Sequence, residues 1–563
     1  MRWTWEGMEL RLGASAGAVE ARLARWEEEG FGRRLWARDA TLWSPQPLPE
    51  LADRLGWLGL HETMAAELPE LERFGAALAA EGVRDLVVLG MGGSSLAPEV
   101  FQRALGNAPG HPRLAVLDST HPDAVQGLAA RLDLARTLFL VSSKSGTTTE
   151  TLSFFRAFWD LARRKLPAPG ERFAAITDPG TPLAALAGER GFRQIFAAPP
   201  DVGGRYSALS VFGLAPAAGI GADTAGLLAA ARRLAAACGP EVPAQRNSAL
   251  ALGAALGELA LAGRDKLTFA AAPRLESFPD WIEQLVAEST GKQGRGIVPV
   301  AGEPPGSPAA YGSDRVFVAL AGDGEDDFAL QHVARLAEAG HPAVLFRLAA
   351  GAELGAEMLR WEIAVAAAGA VLGIHPFDQP DVQLAKDLAR AALSSAREHP
   401  AARGGGAGGA EVAAAAPGLG RTLGEWLAGA RPGGYLGLHA YLAPTAAVTA
   451  ALRRLQGALR DATGLAATAG YGPRFLHSTG QLHKGGPAGG LFLQLVDRPR
   501  AELAVPEAGF GFGELLAAQA EGDRRALLQR GRGVLRVDLG GEPLAGLEAL
   551  EGALGTTADG APR

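Results

Sequence analysis

Between residues 85 and 176 the chain carries four short, largely apolar runs, each separated from the next by a segment of helical length. They are Asp85–Leu89, Arg113–Leu117, Thr137–Val141 and Phe173–Ile176. A run that is apolar without alternation suits a strand buried on both faces, as happens where helices cover a parallel sheet. The long separations rule out hairpins and require crossover connections. A second set follows Gly263, with Lys266–Ala271, Val316–Leu320 and Ala343–Leu348 reading as strands and Glu353–Leu372 as one long buried helix. The expectation is an α/β fold with two tandem doubly wound parallel-sheet domains at its centre, at 81–240 and 241–400.

The flanks read differently. Residues 1–80 form an expected helical N-terminal region, with apolar groups three and four apart across Val19–Trp26. The Gly/Ala/Pro-rich stretch around Gly404-Gly405-Gly406 predicts a linker over 401–434. Beyond it, Tyr435–Leu442, Leu491–Leu495 and Val534–Leu539 read as strands, with helical segments at 445–461 and 513–530. These predict a small C-terminal α+β domain at 435–563.

A chain of 563 residues is long enough for about three or four domains. Its net charge of −7 leaves no basic footprint for nucleic acid. No stretch of eighteen apolar residues predicts a membrane span. The single cysteine, Cys238, excludes an internal disulfide framework, and the charged Met1–Glu6 segment lacks the apolar core of a signal peptide, so a reducing cytoplasm is expected. No His/Asp/Glu cluster has metal-ligand spacing, and neither metal nor cofactor is expected. There are only six lysines against 48 arginines, so a lysine inside a motif is informative here.

The strongest chemical signal follows Thr137–Val141. The eight residues 142–149 hold six hydroxyl side chains, at the end of an apolar run and the start of a helical one. Ser143, Lys144, Ser145, Thr147 and Thr148 are candidate phosphate ligands, because hydroxyls, amides and a helix N-terminus hold an anion without over-binding it. The spacing is not that of a nucleotide P-loop. A glycine-rich turn after Asp85–Leu89 adds Gly92, Gly93 and Ser94. Six hydroxyls exceed what helix capping needs, and this loop resembles that of sugar isomerase (SIS) domains, which bind phosphorylated sugars.

Three further segments resemble phosphoglucose isomerases: Asp201–Ser207 (DVGGRYS), Glu288–Lys292 (ESTGK) and Phe377–Lys386 (FDQPDVQLAK). In the last, Asp381 stands where a small residue is usual and Gln383 where Glu is usual. A fourth, Leu476–Leu482 (LHSTGQL), resembles the family's histidine segment. It lies after the other motifs instead of among them, an order similar to the isomerase half of bifunctional transaldolase/phosphoglucose isomerases. No room remains for a transaldolase barrel.

The resemblance implies interconversion of glucose 6-phosphate and fructose 6-phosphate through an enediolate, as part of glycolysis and gluconeogenesis. It assigns Glu288 as the base that moves a proton between C2 and C1, and Arg205 as the cation that offsets enediolate charge. Lys386 and His477 are assigned to ring opening, and Gln379 to the phosphate. His483 and His375 compete with His477, and Lys292 has no settled role. Two alternatives stand beside this reading: an enzyme that also takes mannose 6-phosphate, and a non-catalytic sugar-phosphate sensor. Family members are usually dimers that share the histidine segment, so a homodimer is possible.

Overall fold

A computed structural model describes residues 2–323, 327–349, 351–398 and 410–558. Three sheets organise it. The chain opens with a hairpin, β1 (Arg2–Trp5) and β2 (Met8–Arg11). The first domain sheet holds β3 (Asp85–Leu89), β4 (Arg113–Leu117), β5 (Thr137–Ser142), β6 (Phe173–Thr177) and β7 (Gln194–Ala197), all parallel, in the order β4-β3-β5-β6-β7. The winding therefore reverses between β3 and β5. Ligands of open parallel sheets bind beyond the strand C-termini at such a switch point. The two loops that leave it are the glycine-rich turn and the hydroxyl-rich loop.

The second sheet holds β8 (Lys266–Ala271), β9 (Val298–Val300), β10 (Arg315–Gly322) and β11 (Ala343–Leu348), again parallel, with its reversal between β8 and β10. The N-terminal region is not helical throughout. Its hairpin pairs antiparallel with β11 through β2 and covers an edge that would otherwise stay open. Helices Ala16–Glu28 and Leu68–Ala80 follow, burying Val19, Leu23 and Trp26, then Leu71, Phe74 and Leu78.

The third sheet corrects two expectations. Its strands are β12 (Ala410–Ala413), β13 (Tyr435–Tyr441), β14 (Ala466–Tyr471), β15 (Gly490–Val496) and β16 (Gly533–Asp538), in the order β12-β16-β15-β13-β14. Every pairing is parallel, so this domain is doubly wound like the others, not α+β. It also begins inside the expected linker. β12 pairs with β16, and helix Leu419–Leu427 buries Leu419, Leu423 and Trp426 at helical spacing. Residues 401–409 lie outside the described residues.

The third domain sits on both others. Phe512 stacks on Phe154, and with Val505 it joins the core beneath the first sheet. Ala287 and Val298 share a core with Tyr435, Leu482 and Phe492. Arg315 and Glu303 form a buried pair, and Arg460 reaches the same carboxylate from the third domain. Among the described residues no helix is long and apolar enough to cross a membrane.

Candidate active site

Ser143 continues the ladder of β5 through its N–H to the Ile176 carbonyl, 3.0 Å, and the chain then turns into helix Thr149–Lys165. Gly146 makes that turn with φ +66°; an added Cβ would lie 2.8 Å from Thr181 Cβ. Ser143 Oγ lies 2.9 Å from Thr148 Oγ1, and Ser145 Oγ 3.0 Å from Thr147 Oγ1. The hydroxyls are thus gathered at a helix N-terminus, where backbone N–H groups and the dipole favour an anion. Lys144 is placed otherwise. Its ammonium donates to Asp178 at 2.7 Å and to the carbonyls of Pro199 and Pro200, so its charge is balanced by protein.

The glycines of the other loop serve close packing. A Cβ on Gly93 would fall 2.0 Å from the Gly204 carbonyl oxygen. One on Gly92 (φ +55°) would fall 2.7 Å from the His477 carbonyl oxygen. Gly92-Gly93-Ser94 is therefore the floor on which the Arg205 turn and the His477 turn both rest.

Arg205 is buried, and every arm of its guanidinium is engaged. Nε donates to Ser289 Oγ (2.8 Å), Nη1 to Gln379 Oε1 (3.2 Å), and Nη2 to the carbonyls of Pro376 (2.5 Å) and Asp378 (3.0 Å). Nη1 also lies 3.2 Å from Glu288 Oε1. Glu288 comes from helix Phe278–Thr290, every residue of which is buried except Asp280. Gly291 ends that helix against Leu482 of the third domain; a Cβ there would meet Leu482 Cα at 2.4 Å.

One turn before Glu288, Gln284 uses its amide nitrogen twice. Nε2 donates to Glu288 Oε2 at 3.1 Å and to the His477 carbonyl at 2.8 Å. The His477 ring points to Glu150, with Nε2 3.0 Å from Oε1, and Gln519 donates to the same oxygen at 2.7 Å. Burial pushes the Glu150 carboxyl up, but the His477 ring, a backbone N–H and the charge of Lys386 outweigh it and hold the group below its ordinary range. Glu150, in the first turn of the helix that opens on the hydroxyl loop, thus joins that loop to His477.

Lys386 lies on the exposed face of helix Pro380–Glu398, near enough for its charge to act on Glu150. Gln379 is brought to Arg205. The two competing histidines have other partners. His483 is buried against Tyr435, its protonation opposed by burial and by neighbouring His439 and Lys484. His375 accepts from the Phe377 N–H and lies against the Pro49 carbonyl. Lys292 supports the site from behind: it pairs with Asp378 at 2.7 Å and donates to the His375 carbonyl, while burial and Arg205 push its pKa down to about 7. The two departures from the family pattern both have partners. Asp381 takes a hydrogen bond from Gln481 (2.8 Å) and pairs with Arg530, both in the third domain. Gln383 donates to Asp387 on the helix surface. Sequence reasoning missed Glu150 as a site residue, although it lies in the hydroxyl segment. It also missed Gln284, whose signal was its place four residues before Glu288.

The phosphoglucose isomerase family model matches residues 70–298. A glucose-6-phosphate isomerase of Rubrobacter xylanophilus is 30% identical over 430 residues, covering 67% of this chain and 95% of that protein. The chain belongs to the phosphoglucose isomerase family. A probable glucose-6-phosphate isomerase of Haloarcula marismortui is 38% identical over 215 residues, and there the chain spans 48% of the relative's length. Among solved structures, a hypothetical protein of Thermus thermophilus is 28% identical with a TM-score of 0.59, matching 68% of this chain and all of that one. A glucose-6-phosphate isomerase of Chlamydia trachomatis, 21% identical, shares the fold with a TM-score of 0.59 over 72% of this chain and 91% of that one. The titratable side chains gathered at this place are Glu288 and the His477–Glu150 pair, with the Arg205 guanidinium beside Glu288.

Proposed function

We propose that the protein is an aldose–ketose isomerase that interconverts glucose 6-phosphate and fructose 6-phosphate, a step of glycolysis and gluconeogenesis. The observation that carries this is the meeting of Glu288, Arg205 and the His477 turn above the loops of the β3/β5 switch point. A sensor would need the hydroxyl loop alone.

In this reading the phosphate rests on Ser143, Ser145, Thr147 and Thr148 and the helix N-terminus, with Gln379 completing its site. His477, oriented by Glu150, and Lys386 exchange protons with the ring oxygen and the C1 hydroxyl, which opens the ring. Glu288 then takes the C2 proton of the open aldose. The electrons of that C–H bond form the C1–C2 double bond, and the C1 carbonyl oxygen becomes the enediolate oxygen beside Arg205. The proton of the C2 hydroxyl passes to that C1 oxygen, leaving the charge on O2. Glu288 then returns its proton to C1 through the double-bond electrons while the O2 electrons close the ketone at C2, which leaves a hydroxyl at C1. A positioned acid–base group supplies on the order of 10²–10⁴-fold in such a step, and the fixed guanidinium lowers the cost of the developing charge.

The substrate is a small sugar phosphate, and His477 acts in its own chain's site. The test is conversion of fructose 6-phosphate to glucose 6-phosphate, coupled to glucose-6-phosphate dehydrogenase. Absence of turnover by folded protein would refute the reading.

A further inference from the structure

Arg474 opens the four-residue turn Arg474–His477, three residues before the histidine. Its guanidinium reaches three carboxylates, none of them in its own domain. Nη2 lies 2.8 Å from Glu99 and 3.4 Å from Asp280, and Nη1 lies 3.2 Å from Asp118. Each partner stands beside an element of the site. Glu99 is in the first turn of the helix that follows Gly92-Gly93-Ser94, and Asp118 follows β4 directly. Asp280 is in the first turn of the helix that bears Gln284 and Glu288. Arg103 also pairs with Glu99, at 3.3 Å, while Glu283, buried on the same helix as Asp280, adds a further acid. Without Arg474, acids of two domains would face the third domain with little to balance them, and a buried charge that loses its partner is costly.

We propose that Arg474 is a positioning residue, whose three ion pairs seat the third domain and thereby fix the His477 ring relative to Glu288. The inference rests on the reading that His477 takes part in turnover. Arg474 needs no contact with the sugar, since its nitrogens face protein carboxylates.

The experiment compares Arg474→Gln and Arg474→Lys with the parent protein in fructose 6-phosphate isomerisation, alone and in a His477→Ala background, with hydrogen exchange read over residues 474–483. A misplaced catalytic group costs on the order of 10²-fold, so Arg474→Gln should lower kcat about 30- to 100-fold and leave KM within about threefold. Arg474→Lys, or guanidinium ion added to Arg474→Gln, should restore part of the loss. In the His477→Ala background the same change should cost little more, and exchange over the turn should quicken. An undiminished kcat, an equal loss in both backgrounds, or unchanged exchange would each overturn the proposal. If His477→Ala keeps full activity, the role of His477 fails; exchange over the turn still reports whether Arg474 seats it.

Discussion

Gln284 donates to the His477 carbonyl across 2.8 Å, although 193 residues separate the two in the chain. The same nitrogen holds Glu288, so the proposed base and the turn of the proposed ring-opening histidine share one support. Gln284→Leu removes both bonds and leaves a buried carboxylate oxygen short of a donor, a loss of about 1–3 kcal/mol. The expected result is a kcat lower by about 10- to 100-fold with phosphate binding kept, measured by steady-state kinetics and by the affinity of a phosphorylated competitive inhibitor.

Glu288→Gln keeps the shape of the side chain and removes the base. Turnover should fall by at least about 10³-fold, near the upper end of what one acid–base group supplies, while the inhibitor still binds. Activity that survives would mean another group abstracts the proton.

Gly93→Ala tests the floor of the site. Its Cβ would meet the Gly204 carbonyl oxygen at 2.0 Å, a backbone atom that cannot swing aside. The Arg205 turn must shift, and both kcat and thermal stability should drop; an enzyme with normal kinetics would show that the two loops separate freely.

The Glu150–His477 pair has a definite pH signature. The carboxyl of Glu150 is held below its ordinary value, so its contribution to stability is complete above that value, about 4.5, and is lost as the solution is acidified through the lower, folded one. Glu150→Gln should therefore cost about 2 kcal/mol at neutral pH, and urea titrations should show the gap to the parent protein closing below pH 4.5.

Because His477 packs against Gln284 and Glu150 of its own chain, mixing inactive Glu288→Gln with inactive His477→Ala protein is expected to restore nothing. Recovered activity in the mixture would place the histidine across an interface.

What could be read from the sequence was what is local. The strand Asp85–Leu89 and its glycine turn, and Thr137–Ser142 and its hydroxyls, each carry their evidence within a dozen residues. Arg205, Glu288 and His477 likewise stand inside recognisable segments. The elements missed lack that local evidence. β1 and β2 read RWTW and MELR, mixed in polarity because the hairpin lies at a sheet edge. β9 is only VPV, and β14 is AATAGY, whose small residues form no apolar run. β12 is four residues in an alanine-rich background, although the Leu419/Leu423/Trp426 spacing just beyond it was a usable signal. Partnerships across the fold were out of reach altogether. Glu150 and His477 lie 327 residues apart, and Lys144 turns toward Asp178, which no motif connects to it.

The placement of His477 also bears on how the enzyme behaves when it is scarce. A site that borrows its histidine from a neighbour weakens on dilution, because the fraction of assembled pairs falls with concentration. Here Gly92, Gln284 and Glu150 hold that histidine from within the same polypeptide. Specific activity should then stay level down to nanomolar enzyme.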